Sequence, residues 1–172
     1  MQVFWPPGMA VLTAAGAILL ITAGTAHAAR PAEHRAVLRV HRLFPPEWTP
    51  FAAAVTTGAE LLVGLSVLVT AVVAMVLPAV VQAAVYGALA GYAAVLRVRR
   101  AGVPCGCFGA EKVSWAVVAR AVVLAAGSAG YAATGPISDP WPCVAAGAVL
   151  AMANHLLPVL REIGGRKRLR RG

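Results

Sequence analysis

Long apolar runs that alternate with short basic segments set the pattern of this chain. A helix needs about 20 mostly apolar residues to cross the hydrocarbon core of a bilayer. The last run is the shortest, and Pro158 near its end is expected to mark fraying at the membrane interface. The pattern predicts an all-α, polytopic membrane bundle with five transmembrane helices, at residues 9–29, 51–77, 79–96, 113–134 and 143–160.

The composition agrees with this class and excludes a soluble globular domain. Of the 172 residues, 60% are hydrophobic and 12% are charged, whereas soluble domains carry about 25% charged residues. A chain this apolar could not hide its surface from water in one small domain. The length predicts a single transmembrane domain over residues 1–164, followed by a basic, disordered tail at 165–172.

The placement of basic residues predicts the topology and argues against nucleic acid as a partner. The formal net charge is +9, but the basic residues form short clusters between apolar runs rather than one basic face. Fourteen of the 15 fall in the first loop, the third loop and the C-terminal tail, which five spans place on one side. The positive-inside rule then predicts a multi-pass plasma-membrane protein, surrounded by lipid, with its N-terminus outside and its C-terminus in the cytoplasm.

The first apolar run is expected to be a retained helix rather than a cleaved signal peptide. Ala26-His27-Ala28 resembles a cleavage site, but no Lys or Arg precedes the apolar run. Cleavage would also leave the four arginines of the first loop outside, against the charge rule.

The first loop carries an amphipathic pattern of its own. Between Pro31 and Pro45, apolar residues alternate with Arg, His and Glu. This pattern predicts a short helix at the membrane interface, with Trp48 as an anchor. A solvated linker is the alternative interpretation.

Cys105 and Cys107, in the third loop, are the strongest candidates for chemistry. Gly106 between them permits the backbone angles that a small, strained disulfide ring needs, and strained disulfides are suited to exchange. Two thiolates could also ligate a metal, but zinc takes three or four protein ligands. With no second cysteine pair in the sequence, redox chemistry is favoured over a metal site. Two unreactive thiols in a turn are the remaining alternative, and Cys143 stands apart.

Glu60 and Arg120 are ionisable residues inside predicted helices. A charge at the bilayer centre costs about 3 kcal/mol on insertion scales, so such residues usually face the bundle interior and find a partner. Both helices start on the same side, and at about 1.5 Å per residue the two side chains have matching depths. An ion pair between them, structural or functional, is therefore geometrically allowed. More polar residues are expected at the same end of the bundle: His27, Tyr92, Asn154 and His155.

Small residues at helical spacing indicate where helices approach each other. Gly87 and Gly91 form a Gly-x-x-x-Gly on the third predicted helix, extended by Ala83. Such a face predicts close helix packing, and Gly64 in the second predicted helix is expected to serve the same end.

Together these motifs resemble the MauE family of methylamine utilisation proteins, within the broader DoxX-like membrane proteins. The matching pieces are Glu60-Leu61-Leu62-Val63-Gly64, Cys105-Gly106-Cys107-Phe108-Gly109 and Arg120. The resemblance covers residues 10–134, so the C-terminal helix and tail add little to a four-helix core.

The resemblance implies a role in protein maturation through thiol–disulfide exchange. Carried over to this chain, Cys105 and Cys107 would be the catalytic redox pair, and Glu60 and Arg120 would be supporting intramembrane residues. The gathering of polar residues at one end adds His27 and His155 to this supporting polar cluster, and no metal is expected. The substrate would be the disulfide-rich small subunit of methylamine dehydrogenase or another exported disulfide protein. A thioredoxin-like protein or a quinone would exchange electrons with the pair.

Two matters stay open at this point. Disulfides of exported proteins form outside, whereas the charge rule places the Cys-Gly-Cys loop on the cytoplasmic side. The loop could dip into the membrane, the protein could carry reducing equivalents outward, or the topology could be inverted. The alternative function is a non-enzymatic membrane subunit or small-solute carrier that uses Glu60 and Arg120.

Overall fold

The computed structural model describes residues 5–71, 75–100, 102–104 and 112–169 of the chain, with side chains at 7–71, 75–100, 102–104 and 112–156. The described part is built from helices joined by short connections. A single turn of 3₁₀ helix at Pro46–Trp48 leads into the third helix. The α-helices are α1 (Trp5–Ala29), α2 (Pro31–His41), α3 (Thr49–Thr70), α4 (Leu77–Arg99), α5 (Trp115–Thr134) and α6 (Trp141–Leu169).

Five of these helices correspond to the five predicted spans, which confirms an all-α membrane bundle. Four stretches are long and apolar enough to cross a membrane, and the apolar part of α6, Trp141–Leu156, is shorter. The chain is therefore a multi-pass membrane protein. The four longer stretches are Pro7–Ala29, Pro46–Thr70, Leu77–Arg99 and Trp115–Thr134.

Two prolines that were expected to mark helix ends lie inside helices instead. Pro78 does not separate two helices but lies in the first turn of α4, where the missing N–H costs nothing. Pro158 does not fray α6, which continues to Leu169 and so into the segment expected to be disordered. A proline removes one backbone hydrogen bond from a helix and does not always end it.

The amphipathic pattern of the first loop does form a helix, α2. Its buried residues are His34, Leu38 and His41, which are spaced at i, i+4 and i+7 and therefore share one face. The arginines on the helix are not buried. The helical interpretation of this loop is thus confirmed over the solvated linker, and the helix packs on α3.

A buried hydrogen-bond network ties three of the spanning helices together. Gln82 of α4 donates from Nε2 to the carbonyl of Thr13 in α1 and to Oγ of Ser128 in α5, both at 2.9 Å. Tyr86, one turn further along α4, donates its hydroxyl to the carbonyl of Gly16 at 2.7 Å. Because lipid offers no competing hydrogen bonds, these contacts fix how α1, α4 and α5 are rotated against each other.

Close helix approach uses glycines other than the predicted pair on α4. A Cβ at Gly64 would lie 2.7 Å from the carbonyl oxygen of Ala17, so α3 and α1 touch through backbone. At Gly87 and Gly91 a Cβ would meet nothing within 4 Å. The prediction for Gly64 is confirmed, and the one for Gly87 and Gly91 is wrong. α4 instead turns its Gln82 and Tyr86 face inward, because these residues need the partners that α1 and α5 supply.

Replacing Gly64 by alanine should destabilise the bundle, because the new methyl group would push against backbone of α1. Overpacking of this kind costs about 1–3 kcal/mol. Thermal unfolding in detergent should show a lower midpoint for Gly64→Ala. Gly87→Ala is the matched control, since its methyl group enters open space. Equal midpoints for the two variants would contradict the packing described here.

Candidate functional site

A buried pair between Glu60 and His27 lies at the centre of the polar end of the bundle. His27, near the end of α1, donates from Nδ1 to Oε2 of Glu60 in α3 at 2.8 Å. The two side chains are 9% and 4% exposed. A buried carboxylate without a partner is very unfavourable, so this contact is what allows Glu60 to lie inside the bundle.

The partner of Glu60 is therefore His27, and not Arg120 as the sequence allowed. A partner at the same depth in the bilayer was correctly expected, since the side chains of His27 and Glu60 meet at one depth. Depth does not fix the direction in which a side chain leaves its helix, however. Arg120 is half-buried on α5, a helix that packs on α4 and α1 rather than on α3.

His34 continues the polar cluster from α1 to α2. Its ring stacks on that of His27, with centroids 3.8 Å apart and an interplanar angle of 19°. Its Nε2 lies 3.0 Å from the hydroxyl of Thr56. The same hydroxyl lies 2.9 Å from the carbonyl of Ala52 and 3.1 Å from that of Ala53.

Nδ1 of His34 is a buried polar atom with no hydrogen-bond partner among the described residues. Burial, together with the smaller effects of the charges of His27 and His41, lowers the pKa of His34 from 6.5 to about 4. His34 is therefore neutral at pH 7.

His41, at the end of α2, joins the cluster to the segment that carries the cysteine pair. It is 1% exposed, and its Nε2 donates to the carbonyl of Pro104 at 2.7 Å. Its Nδ1 lies 2.7 Å from the hydroxyl of Tyr92 in α4. Two short bonds on opposite sides of the ring leave it little freedom to rotate.

Pro104 immediately precedes Cys105, and the chain on both sides of the pair is held together. Pro104 and Lys112 form an antiparallel bridge, and the amide of Val113 donates to the carbonyl of Val103 at 3.0 Å. Cys105 and Cys107 themselves lie outside the described residues. The two ends of their segment are adjacent, and His41 anchors one of them.

The other sequence-predicted residues lie away from this cluster. His155 of α6 contacts the hydroxyl of Thr22 in α1 through Nε2 at 3.1 Å, on the exposed side of both helices. Cys143 is buried at the opposite end of the bundle, where its Sγ is 3.7 Å from the carbonyl of Pro7. Within the described ranges, no three His, Cys, Asp or Glu side chains converge as a metal-ligand set.

His34 and His41 were not singled out from the sequence, although a signal was present. Both share the i, i+4, i+7 face with Leu38, which is the inward face of α2. A histidine in register with an apolar stripe is a candidate for burial, whereas the arginines of the same helix fall between the stripe positions.

A cavity of about 570 Å³ adjoins the cluster, between α2, α3 and α4. It exists because α4 packs mainly on α5 while α3 packs mainly on α1, so α3 and α4 diverge. Its walls are mostly apolar and include the aromatic rings of Phe44, Trp48 and Phe51. The polar groups in its wall are His34, His41, Thr56, Glu60 and Tyr92.

The fold and the site together define a class: a polytopic helical membrane protein with a buried histidine–carboxylate cluster beside a tethered cysteine segment. The model of one family, described as methylamine utilisation protein MauE, matches residues 7–134. The match spans well over half of the chain, so this protein belongs to the MauE family. Comparison with curated proteins and with solved structures gave no match.

The low pKa of His34 predicts a pH-dependent stability. Between about pH 6.5 and pH 4 the unfolded chain binds a proton that the folded chain does not, so unfolding becomes more favourable as the pH falls. Above pH 6.5 both states are neutral at this residue and the effect vanishes. Thermal unfolding in detergent should show a midpoint that falls from pH 7 to pH 5, with a smaller fall in His34→Phe.

The matched control for this measurement is His155→Phe, since His155 is exposed. It should keep the pH dependence of the unchanged protein. If His34→Phe and His155→Phe gave the same slope, burial of a neutral His34 would not be the cause.

Proposed function

We propose that this protein is a membrane-embedded thiol–disulfide exchange factor whose redox pair is Cys105 and Cys107. The observation that supports it best is the hydrogen bond from buried His41 to the carbonyl of Pro104. A polar anchor of this kind is expensive to build in a membrane protein, and it acts on the residue next to the cysteine pair.

The hydrogen bonds around the segment favour a small disulfide ring between the two cysteines. Closing a ring costs conformational entropy, and the cost falls when the ends of the segment are already held together. The bridge between Pro104 and Lys112 and the tether from His41 hold them. Gly106 supplies the backbone freedom that a Cys-x-Cys ring requires.

The exchange reaction follows from the chemistry of such a pair. A thiolate of the substrate protein attacks the Cys105–Cys107 disulfide and forms a mixed disulfide, which releases one cysteine of the pair as thiolate. A second thiolate of the substrate then attacks the mixed disulfide. The substrate leaves with a disulfide, and the pair is left as a dithiol that carries two electrons. A thioredoxin-like protein or a quinone would accept those electrons.

The family links the proposal to protein maturation. The family is one of methylamine utilisation proteins, and the substrate suggested by this resemblance is the disulfide-rich small subunit of methylamine dehydrogenase, or another exported disulfide protein. The charge pattern supports a plasma-membrane location with the N-terminus outside, the C-terminus in the cytoplasm and the cysteine segment on the cytoplasmic side. Because disulfides of exported proteins form outside, direct exchange with such a substrate requires the cysteine segment to reach the outer face, and the labelling experiment below determines on which side it lies.

One observation favours a second candidate, a non-enzymatic membrane subunit or small-solute carrier. Glu60 lies in the wall of the cavity, where a polar solute could meet it. The two candidates differ in which residues they need. The carrier needs Glu60 and tolerates serine at both cysteines, whereas the exchange factor needs the cysteines.

Thiol labelling of a Cys143→Ser variant tests the redox pair directly. We expect a maleimide to label Cys105 and Cys107 only after reduction, because the resting pair is a disulfide. A membrane-impermeant reagent should require permeabilised cells if the segment faces the cytoplasm. In Cys107→Ser, the remaining Cys105 should be labelled without reduction and the disulfide state of the substrate protein should change. An unchanged disulfide state in Cys107→Ser cells would rule the proposal out.

Removing the tether should shift the redox equilibrium of the pair. In His41→Phe the buried hydrogen bond to Pro104 is lost, which is worth about 1 kcal/mol. Titration of the purified protein with glutathione should therefore show the dithiol favoured by about three- to tenfold over the unchanged protein. His34→Phe is the matched control, because His34 lies in the same cluster but is not bonded to Pro104. Equal shifts in the two variants would show that the tether has no specific effect.

A further inference from the structure

The cavity between α2, α3 and α4 is long in the direction of the helix axes. On α3 its lining residues extend from Phe51 to Glu60, which is about 14 Å along the helix. On α4 they extend from Val85 to Tyr92, about 10 Å along the helix. The acyl chains of a phospholipid lie in this same direction, from the membrane interface toward the bilayer centre.

The cavity is open to the hydrocarbon of the bilayer. Phe51 and Val55, in its wall, are 62% and 51% exposed, and both lie within the candidate span Pro46–Thr70. Since the walls are mostly apolar, an acyl chain meets the same kind of surroundings there as among other lipids. A chain can therefore occupy the cavity without penalty, and selection among lipids has to come from the headgroup.

The end of the cavity at the membrane interface lies in the basic end of the bundle. Glu33 is paired with Arg30 at 3.8 Å and Glu60 with His27 at 2.8 Å, so Glu47 is the remaining carboxylate of this end in the described part of the chain. This excess of positive charge favours an anionic headgroup. The arginines in and next to α2 and at the end of α4 are Arg30, Arg35, Arg39, Arg42, Arg97, Arg99 and Arg100.

Arg42 and Arg99 are the arginines that the fold places beside the cavity. Arg42 is exposed and lies between His41 and Phe44, which are both in the cavity wall. Arg99 is also exposed and follows Tyr92 of the wall by seven residues, which places the two on the same face of α4. Within the described ranges, neither arginine forms a salt bridge.

The backbone of Arg42 indicates that its side chain has a role beyond setting the topology. Arg42 follows the last residue of α2 in the left-handed conformation, with φ 48° and ψ 35°. Glycine is usual at this position, because a residue with a Cβ is strained there. Among the residues that the structure describes, no other non-glycine residue has a positive φ. The positive-inside rule is satisfied by an arginine anywhere in this loop, so it does not account for one at a strained position.

We infer that the cavity binds one acyl chain of an anionic phospholipid, whose phosphate is held at the interface by Arg42. The guanidinium group matches the geometry of a phosphate and can donate two hydrogen bonds to it. Arg99 adds positive charge on the α4 side of the same site. Because the site uses neither Cys105 nor Cys107, this inference and the proposed thiol–disulfide exchange can fail separately.

Native mass spectrometry of the protein, delipidated in detergent and then supplied with one phospholipid, tests the headgroup preference. The probes are palmitoyl-oleoyl phosphatidylglycerol and palmitoyl-oleoyl phosphatidylcholine, which share their acyl chains and differ in net charge. An arginine close to an anionic headgroup contributes a factor of about five in binding. With two arginines beside the cavity, we expect phosphatidylglycerol to bind at least about tenfold more tightly.

Arg42→Gly should lower this preference by about fivefold. Its thermal unfolding midpoint should not fall, since glycine relieves the strained backbone. Arg39→Ala is the matched control, because it removes the same charge from the side of α2 opposite to Val37 of the cavity wall. It should change the preference by less than about twofold. The inference is overturned if Arg42→Gly keeps the full preference, or if both variants lose it equally.

A cavity-filling variant tests whether an acyl chain occupies the cavity. Ala88→Phe places a ring among the lining residues and should abolish binding of phosphatidylglycerol, whereas Ala119→Phe, at an exposed position of α5, should not. Excess sn-glycerol 3-phosphate should fail to displace the lipid. Displacement by this free phosphate, or full binding in folded Ala88→Phe, would overturn the inference. It is also overturned if the delipidated protein is a dimer that Ala88→Phe converts to a monomer, because the cavity would then hold a second copy.

Discussion

The polar end of this membrane protein depends on one contact, the hydrogen bond between His27 and Glu60. A carboxylate inside an apolar bundle is unfavourable unless a partner meets it, and here the partner comes from the neighbouring helix at 2.8 Å. Because His27 is held by Glu60, its ring offers a fixed face on which His34 stacks at 3.8 Å. The first helix of the connecting segment, α2, is thereby docked on the bundle through a polar contact rather than through apolar burial alone.

Burial and neighbouring charges keep one histidine of this cluster, His34, neutral. Three histidines lie close together, and the pKa of the middle one, His34, is lowered to about 4 by burial and by its two neighbours. The hydrogen bond between His34 and Thr56 joins this neutral ring of α2 to α3.

The sequence predicted the spans, the amphipathic helix and the matching depth of His27 and Glu60, because these follow from length, periodicity and side-to-side alternation. It did not predict the partner of Glu60 or the packing face of α4, because both depend on how helices are rotated about their axes. Rotation is set by tertiary contacts such as those of Gln82 and Tyr86 with α1. His34 and His41 were missed because their helix was interpreted as an interfacial element, although their spacing around Leu38 marked them as inward-facing.

The cavity and the cysteine segment share one side-chain pair, and this is what relates the two parts of the site. Tyr92 lines the cavity and is bonded to His41, whose other nitrogen donates to Pro104. A movement of Tyr92 therefore cannot occur without straining or breaking one of two short hydrogen bonds, both 2.7 Å long. This chain of directional bonds connects the wall of the cavity with the residue that precedes Cys105.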